Sequence, residues 1–541
     1  MAESIQPEVR SFAGWPRWVW IGGLLLALGY LPMLTAPFDF IDDGNLVYPT
    51  RGLTLGQHAS LWWEKVAANV DHLGPFRPVV WAHWHLAANC FDADARLWRL
   101  GRLIWCGFAG VLLLGWLHEW KVGPMAALIA SAAALWNPYR NEFWTSLTLA
   151  EGVAMPYALL ALLACRKAAF AVRPAGWDWL ALLGFLAALG CKNTFLALLP
   201  AMLFSRLCVP GRALVPYLKT EWWRIALLGS PALLPLVHAI YFQAHWKPGQ
   251  YVAPGPSWEQ AKQILFWLKG ASGADFLAPG VLATIGLLVW KRSANASERN
   301  GSVWLAGLLL LGGVAVYLPF SIMSARYTIP AIWGFDLLLA VLLTRLERSV
   351  AGWPKRVAWG LVGCGLIALV VAGANRQEKL AARSRMLWAM VDSVEANVPR
   401  GAKIGWIGGA SEQGELNAEE GIHFAWHLLH RGRGDIRIGL YHSNGEPYPR
   451  VELPGFVGPF EYRISANGGE LSPEWLPMHR SVVRYRFGAK CHEAILERRA
   501  GPGDGTGHAL DALKKYLIEG LNPAQSLLPA ESRGPQEAKR K

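Results

Sequence analysis

Two adjacent carboxylates follow the first long apolar run of the chain, in the stretch PFDFIDDGNLVYP at residues 37–49. Asp42 and Asp43 precede a Gly-Asn pair, and this combination of residues is typical of turns and helix starts. Near a membrane surface, however, a carboxylate can have a raised proton affinity and act as a base. The pair is therefore a candidate for catalysis, and a structural turn is the alternative.

Three cations at other turns could accompany these carboxylates. Arg77 precedes the Trp-rich apolar stretch VVWAHWHL, where an arginine can bind a phosphate or lipid headgroup, or simply snorkel to the interface. Lys192 follows another apolar run, and Arg326 is followed by Tyr327 in SIMSARYTIPA. If these turns lie on the same side of a membrane as the aspartates, their cations could surround an anionic headgroup.

A short loop, WNPYRNEFWTS, supplies both a cation and an acid. Arg140 and Glu142 would lie at the membrane surface, either in a functional site or as a surface ion pair within an aromatic belt. Glu151 lies deeper in the apolar run that follows. An acid inside a membrane-spanning helix is a functional candidate by default, although it can also serve only as an internal partner.

The elements that must position these residues are apolar helices. Of the 541 residues, 53% are hydrophobic and only 17% are charged, and 29 are tryptophans, which favour the membrane–water boundary. We expect an α-helical polytopic membrane protein with about eleven transmembrane helices. The first run lacks a cleavage site and is predicted to be a retained helix. The predicted runs are 18–35, 97–118, 123–137, 142–165, 176–191, 194–209, 222–243, 275–290, 302–318, 328–345 and 356–374.

The basic residues orient these helices. With the N-terminus inside, the inner segments hold 17 Lys and Arg in 75 residues, and the outer segments hold 9 in 108. This is the positive-inside bias, and it places the first loop (36–95) and everything beyond residue 375 outside. Beyond residue 375, 23 basic residues nearly balance 20 acidic ones. The net charge of +13 therefore reflects topology, and we expect no nucleic-acid partner.

The last third of the chain predicts a soluble domain. GAKIGWIGG and DIRIGLYH predict strands around a helix, AEEGIHFAWHLLHRG, so a small α/β or α+β fold is expected. His423, His427 and His430 share one face of that helix, which favours a packed or solvated face over a metal site. We divide the chain into a transmembrane domain (1–375, including the first loop), a soluble extracytoplasmic domain (376–520) and a disordered tail (521–541).

The order of these motifs resembles the GT-C superfamily of polytopic membrane glycosyltransferases, in the group whose first loop carries an Asp-Asp motif. The resemblance spans roughly residues 18–345. The chain departs from the family pattern at Phe76, Asn193 and Ala325, which affects donor and acceptor specificity more than the fold. The segments that carry the resemblance are FDFIDDGNLVY, PFRPVVWAHWHL, WNPYRNEFWTSLTLAEG, CKNTFLALLP and SARYTIPAIWGF.

The resemblance implies an inverting glycosyltransferase in a bacterial inner membrane, with its active site and C-terminal domain on the periplasmic side. Its donor would be a sugar linked to a polyprenyl phosphate, and its acceptor a glycan, a lipid or a protein. In this family pattern Asp42 is the base. Asp43 or Glu142 orients the acceptor, or the two aspartates hold a divalent cation. No nucleotide cofactor is implied, and no Walker A, HExxH or GxSxG motif occurs in the sequence.

The same resemblance assigns the donor phosphate to Arg77, Lys192 and Arg326, with Tyr327 and Arg140 nearby. Two other function classes stay open. A transporter or flippase for a lipid-linked glycan would share the helices, but it should place ionisable residues along a path near the bilayer midplane. A non-catalytic membrane scaffold would need no such constellation.

Overall fold

The computed structural model of the chain describes most of its helices and the sheet near its C-terminus. Asp42, Arg326, Tyr327 and the predicted tail at 521–541 lie outside the described residues. These are 14–40, 43, 47, 50, 52–71, 77–207, 214–233, 235–237, 240, 258–290, 300–316, 329–349, 352–408, 418–442, 461–466, 475–487 and 490–499.

The chain forms two compact units. The first comprises Met1–Leu34 and Gly52–Gln377, and the second comprises Thr35–Arg51 and Glu378–Lys541. The short segment Thr35–Arg51, which the sequence analysis assigned to the transmembrane domain, therefore belongs to the second unit.

The first unit is helical. Three short 3-10 turns, Leu28–Thr35, Asn193–Leu198 and Ser230–Ala232, extend or join its helices. The last helix, α15, contributes its residues up to Gln377 to the first unit and its later residues to the second. The helices are α1 (Arg17–Ala27), α2 (Leu55–Asp71), α3 (Pro78–Phe91), α4 (Ala95–Glu119), α5 (Pro124–Trp136), α6 (Glu142–Thr145), α7 (Ala150–Phe170), α8 (Ala175–Cys191), α9 (Leu199–Leu207), α10 (Leu214–Gly229), α11 (Trp258–Ala271), α12 (Ala274–Trp290), α13 (Asn300–Ala315), α14 (Ile329–Arg348) and α15 (Trp353–Asn397).

Among the described residues, five helical segments are long and apolar enough to cross a membrane, so the chain has the features of a helical membrane protein. A sixth span is formed if Lys262–Ala271 and Ala274–Val289, which meet at an angle of 76°, are counted as one broken helix. The five segments are Arg17–Thr35, Ala95–Glu119, Ala150–Phe170, Ile329–Arg348 and Trp353–Asn397.

The expected count of about eleven spans is wrong for the part of the chain that the structure describes. Several predicted runs form helices that are too short: α5 has 13 residues and α8 has 17. At 1.5 Å per residue, such helices do not cover a hydrocarbon core of about 30 Å. The predicted run 142–165 is also interrupted, because α6 stops at Thr145 and α7 begins only at Ala150.

The helices of the first unit pack closely where small residues face each other. A Cβ atom added to Gly110 of α4 would lie 2.7 Å from the carbonyl oxygen of Gly23 in α1. Small residues allow backbones to approach in this way, and the gain in van der Waals contact holds helices together where lipid gives no hydrophobic driving force. Around this contact lies an extended core of buried Ala, Leu, Val and Trp side chains.

The second unit contains a five-stranded mixed sheet with the order β2-β1-β3-β5-β4. β1 pairs in parallel with β2 and with β3, and β5 pairs antiparallel with β3 and β4. The helix α16 connects β1 to β2, so these three elements form a βαβ unit. The elements are β1 (Lys403–Gly408), α16 (Ala418–His430), β2 (Arg437–His442), β3 (Tyr462–Ala466), β4 (Trp475–Phe487) and β5 (Lys490–Arg499).

The segment Thr35–Arg51 enters the core of the second unit through Phe40. The Phe40 side chain is only 1% exposed, and its ring centroid lies 4.2 Å from that of His427 and 5.8 Å from that of Trp388. The ring centroid of Phe424 in α16 lies 6.1 Å from that of Phe40. Burying a phenylalanine contributes about 1.5–3 kcal/mol, which explains why this segment packs with the soluble unit.

Two buried histidines make the second unit sensitive to acid. Burial lowers the pKa of His423 to about 4, against a smaller opposing effect of the Asp39 carboxylate. Burial also lowers the pKa of His427 to about 3, with a backbone hydrogen bond to Asp39 opposing it and the charges of His423, His430 and Arg431 adding to it. Both imidazoles are therefore neutral in the folded protein at pH 5.

We expect the second unit to lose stability as the pH falls below about 6.5. The unfolded chain then binds protons that the folded unit excludes, so the free energy of unfolding falls by about 2 kcal/mol per buried histidine at pH 5. Hydrogen exchange of the β1 and β2 amides in the full-length protein, measured between pH 7.5 and pH 5, provides the test. His423→Phe should remove about 2 kcal/mol of this loss, and an unchanged loss in that variant would contradict the assignment.

Candidate functional site

Arg77 lies at the N-terminal end of α3, where helix α2 of the first loop fixes the backbone. Pro78 begins the helix and keeps Arg77 out of the helical region, with φ −132° and ψ 49°. The indole Nε1 of Trp62 donates to the carbonyl oxygen of Pro78 at 2.7 Å, and the Nδ1 atoms of His58 and His85 are 3.0 Å apart. These contacts join α2 to α3 and hold the half-buried Arg77 at the end of the pair.

The histidine contact between α2 and α3 is uncharged at neutral pH. Burial lowers the pKa of His85 to about 4, and the charges of Lys65 and His58 add to this effect. Burial also lowers the pKa of His58. Two neutral imidazoles can share a hydrogen bond, because one ring nitrogen donates while the other accepts.

Lys192 directly follows α8 and is buried, with 6% of the residue exposed. Its Nζ forms an ion pair with Oε1 of Glu151, near the start of α7. The acid in the apolar run thus pairs internally, as one of the two sequence-based interpretations expects. Because a buried pair that loses one partner leaves an uncompensated charge, Glu151 and Lys192 hold each other in place.

A close contact between α3 and α8 brings Arg77 and Lys192 to one end of this helix pair. A Cβ atom added to Gly190 would lie 2.5 Å from Cγ2 of Val79, so the two helices can meet this closely only at a glycine. Val79 is two residues from Arg77, and Gly190 is two residues from Lys192.

An apolar groove of about 390 Å³ opens beside these cations. Nine of its ten lining residues are apolar, and Asn193 is the polar exception. Leu183 and Leu186 of α8 are 60% and 43% exposed, so this wall of the groove faces the surroundings of the bundle. The volume lies within the range of about 300–1,000 Å³ that is typical of small-molecule sites.

Arg99 and Arg102 of α4 are buried cations that the sequence analysis did not select. Arg99 Nη1 donates to the carbonyl oxygen of Thr145, and Arg102 Nη2 donates to those of Ser146 and Leu147. They satisfy backbone carbonyls in the non-helical stretch between α6 and α7, which would otherwise be unpaired in an apolar bundle. The sequence signal was the spacing of three between these arginines, which places both on one face of α4.

The side chain of Arg140 has a structural role. Its Nη1 and Nη2 atoms lie 2.7 and 2.9 Å from the two carboxylate oxygens of Asp336 in α14, and its Nε donates to the carbonyl oxygen of Ala271 at 2.6 Å. Arg140 is 2% exposed and Asp336 3%. A surface pair with Glu142 was one of two interpretations of the sequence; Arg140 instead forms this buried pair, and the geometry leaves it little capacity to bind a phosphate.

The remaining predicted site residues have different surroundings. Asp43 is fully buried, and its Oδ2 accepts a hydrogen bond from the backbone N–H of Asp39 at 2.9 Å, so this carboxylate shapes a turn. Glu142 is the first residue of α6 and is partly exposed. Asp42, Arg326 and Tyr327 lie outside the described residues, so their roles stay predictions. Within the described ranges, no group of three or more His, Cys, Asp or Glu side chains has the geometry of a metal site.

No protein-family model matches the chain, and no curated protein matches it significantly.

The Arg140–Asp336 pair can be tested by removing one or both partners. We expect Arg140→Ala to destabilise the first unit by about 3–5 kcal/mol, because it leaves the Asp336 carboxylate buried without a partner. Thermal unfolding of the protein in detergent, followed by tryptophan fluorescence, measures this loss. The double variant Arg140→Met with Asp336→Leu should recover most of the stability, because it removes both charges. A double variant as unstable as Arg140→Ala would contradict the proposed cause.

Proposed function

We propose that the chain is a GT-C-like membrane glycosyltransferase that transfers a sugar from a polyprenyl-phosphate-linked donor to a glycan, lipid or protein acceptor. The observation that supports this best is the apolar groove that opens beside Arg77 and Lys192. A polyprenyl phosphate combines a long apolar chain with an anionic group at its end. The groove could hold the apolar chain, and the cations at its end could bind the anionic group.

The groove suits the isoprenoid part of the donor. Its walls are supplied by α3, by α8 and by two prolines that follow α10, and a water-exposed polar lining is nearly absent. The exposed Leu183 and Leu186 would let a lipid chain enter from the bilayer without crossing water. Burying its methylene groups contributes about 0.8 kcal/mol each, which is enough to hold a chain of several isoprene units.

The cations suit the phosphate. Arg77 and Lys192 lie at this end of the groove, and Glu151 pairs with Lys192, so the guanidinium of Arg77 supplies the positive charge for the phosphate. In a low-dielectric environment, preorganised cations stabilise the charge that develops on a departing phosphate. Glu151 keeps the Lys192 side chain in one position, so no reorganisation is needed during the reaction. The resemblance adds Arg326 and Tyr327 to this group.

The proposed chemistry is a single displacement. The carboxylate of Asp42 takes the proton of the acceptor hydroxyl, and the acceptor oxygen forms a bond to the anomeric carbon. The bond between that carbon and the phosphate oxygen breaks, the configuration inverts, and the polyprenyl phosphate leaves with the electron pair. The buried Asp43 supports this assignment indirectly, because its carboxylate already accepts the Asp39 amide. The resemblance adds an extracytoplasmic site in a bacterial inner membrane.

Filling the groove tests donor binding. We expect Leu186→Trp to raise the KM for a long-chain polyprenyl-phosphate sugar about tenfold, because the indole occupies the space of the lipid. The measurement is sugar transfer by the purified protein in detergent, with the product and the released lipid phosphate quantified. Ile104→Trp is the matched control, since Ile104 is 64% exposed on α4 and does not line the groove. Equal effects of the two variants, or donor binding without any sugar transfer, would contradict the proposal; the second outcome would favour a transporter.

Separate substitutions of the two aspartates test the base. We expect Asp42→Asn to lower kcat by about 10²–10⁴-fold, because an amide cannot accept the acceptor's proton. Asp43→Asn should lower kcat less than about tenfold, since the amide oxygen can still accept the Asp39 N–H. Both variants are measured at equal protein levels in the same transfer assay. Full activity of Asp42→Asn, or equal losses in the two variants, would contradict the assignment of Asp42.

A further inference from the structure

Asn193 belongs both to the apolar groove and to the chain segment that carries the buried Lys192. It directly follows Lys192 and begins the 3-10 turn Asn193–Leu198. On the α3 side of the groove, Pro78 directly follows Arg77. The residues next to both cations are therefore part of the lining, and Asn193 is the one polar residue among its ten members.

The turn that carries Asn193 is anchored in the helical unit. The backbone N–H of Phe195 donates to the carbonyl oxygen of Lys192 at 3.1 Å, and the N–H of Lys192 donates to that of Ala188 at 3.0 Å. The Phe195 side chain is 1% exposed, and its ring centroid lies 6.3 Å from that of Trp333 in α14. The backbone of Asn193 is thus held from both sides, so little ordering is needed when its amide binds a ligand.

The Asn193 side chain offers hydrogen bonds without charge. Its carboxamide has two N–H donors and one carbonyl acceptor. The residue is half-buried, so water can reach it. An apolar chain seated in the groove displaces this water, and a dehydrated amide is costly unless the ligand supplies a hydrogen-bond partner at the same place. The groove therefore favours a lipid that carries a hydrogen-bonding oxygen at one end.

The charges at this end of the groove favour a phosphate as the source of that oxygen. Arg77 lies half-buried at the start of α3, and Lys192 is held by its ion pair with Glu151. A phosphate has several acceptor oxygens, so it can accept from the guanidinium and from the amide together. A hydroxyl has a single uncharged oxygen and binds a guanidinium more weakly. An uncharged amide at position 193 adds a donor without competing with the phosphate for either cation, as a carboxylate would.

We propose that Asn193 determines the specificity of the groove for phosphorylated isoprenoids. Its amide N–H donates to a phosphate oxygen of the lipid, while Arg77 neutralises the charge of the same phosphate. Isoprenoid alcohols are rejected, because they leave the amide dehydrated and without a strong acceptor. This inference rests on the proposed function, which assigns a lipid-linked phosphate to this groove.

The experiment measures binding and does not depend on sugar transfer. Farnesyl phosphate and farnesol, which have the same isoprenoid chain, compete for the full-length protein in detergent, and native mass spectrometry quantifies the protein bound to each. Asn193→Leu removes the amide at similar volume, and Asn193→Gln keeps an amide. Thr194→Val is the matched control, because Thr194 is the neighbouring half-buried polar residue and does not line the groove.

We expect the wild-type protein to bind farnesyl phosphate at least about tenfold more tightly than farnesol. In Asn193→Leu the ratio of the two affinities should fall about tenfold, because the phosphate loses a donor and the alcohol no longer dehydrates an amide. Asn193→Gln and Thr194→Val should keep the ratio within about threefold of the wild type. Because the ratio compares two ligands on the same folded molecules, a partial loss of folding does not change it.

Three results would overturn the inference: an unchanged ratio in Asn193→Leu, an equal fall in Thr194→Val, or a wild-type protein that binds both probes equally well. The proposed function fails in a different way. A wild-type protein that prefers farnesyl phosphate but transfers no sugar from any polyprenyl-phosphate-linked donor would refute the transfer reaction. The fall of the ratio in Asn193→Leu would still identify Asn193 as the residue that selects the phosphate.

Discussion

The bidentate pair between Arg140 and Asp336 is the interaction on which the helical unit most depends. Arg140 lies in the loop before α6, and Asp336 lies within the apolar first part of α14, 196 residues later. A charge on either side chain would be too costly to bury without the other, so the pair fixes the position of the loop relative to α14. The same loop also donates from Asn137 to the carbonyl oxygens of Gly270 and Ala271, and from Asn141 to that of Gly373. One polar loop thereby ties together α11, α14 and α15, which packing of apolar side chains alone would leave free to slide.

A related requirement explains two further buried cations, Arg99 and Arg102. Wherever the backbone leaves a helix inside an apolar environment, its carbonyl groups need donors, and long basic side chains supply them. Arg99 and Arg102 do this for the break before α7, and the indole of Trp388 does it for Phe38 in the second unit. A side chain that donates to a backbone carbonyl group is not available to bind a ligand. Among the cations selected from the sequence, the half-buried Arg77 is therefore the better candidate for binding the phosphate of the proposed donor, and Arg140 the poorer one.

Local patterns predicted the local structure well. The alternation in β1 and β2 and the helical spacing of α16 were sufficient, because each element is defined by neighbours within about ten residues. The Ile and Trp side chains of β1 that alternate toward the core, Ile404 and Trp406, are both fully buried. Contacts between distant residues were not predictable in this way. Nothing in the sequence near Arg140 identifies Asp336 as its partner, and nothing near Phe40 shows that it packs with Phe424, because these pairings depend on how the elements assemble.

The helix α8 is too short for a full membrane span, which is one reason why the predicted number of spans is wrong. The same short length determines how well the proposed site is shielded from water. A helix of 17 residues is about 25 Å long, less than the hydrocarbon core of about 30 Å. A full span would carry its terminal residue to the water, where a lysine is strongly screened and binds a phosphate weakly. Because α8 ends early, Lys192 stays buried beside Glu151, and the groove formed by Leu183, Leu186 and Gly190 runs along the last turns of the same helix. An apolar chain in the groove would then place its anionic end near the cations while both are still shielded from water, which is the arrangement that a lipid-linked phosphate needs.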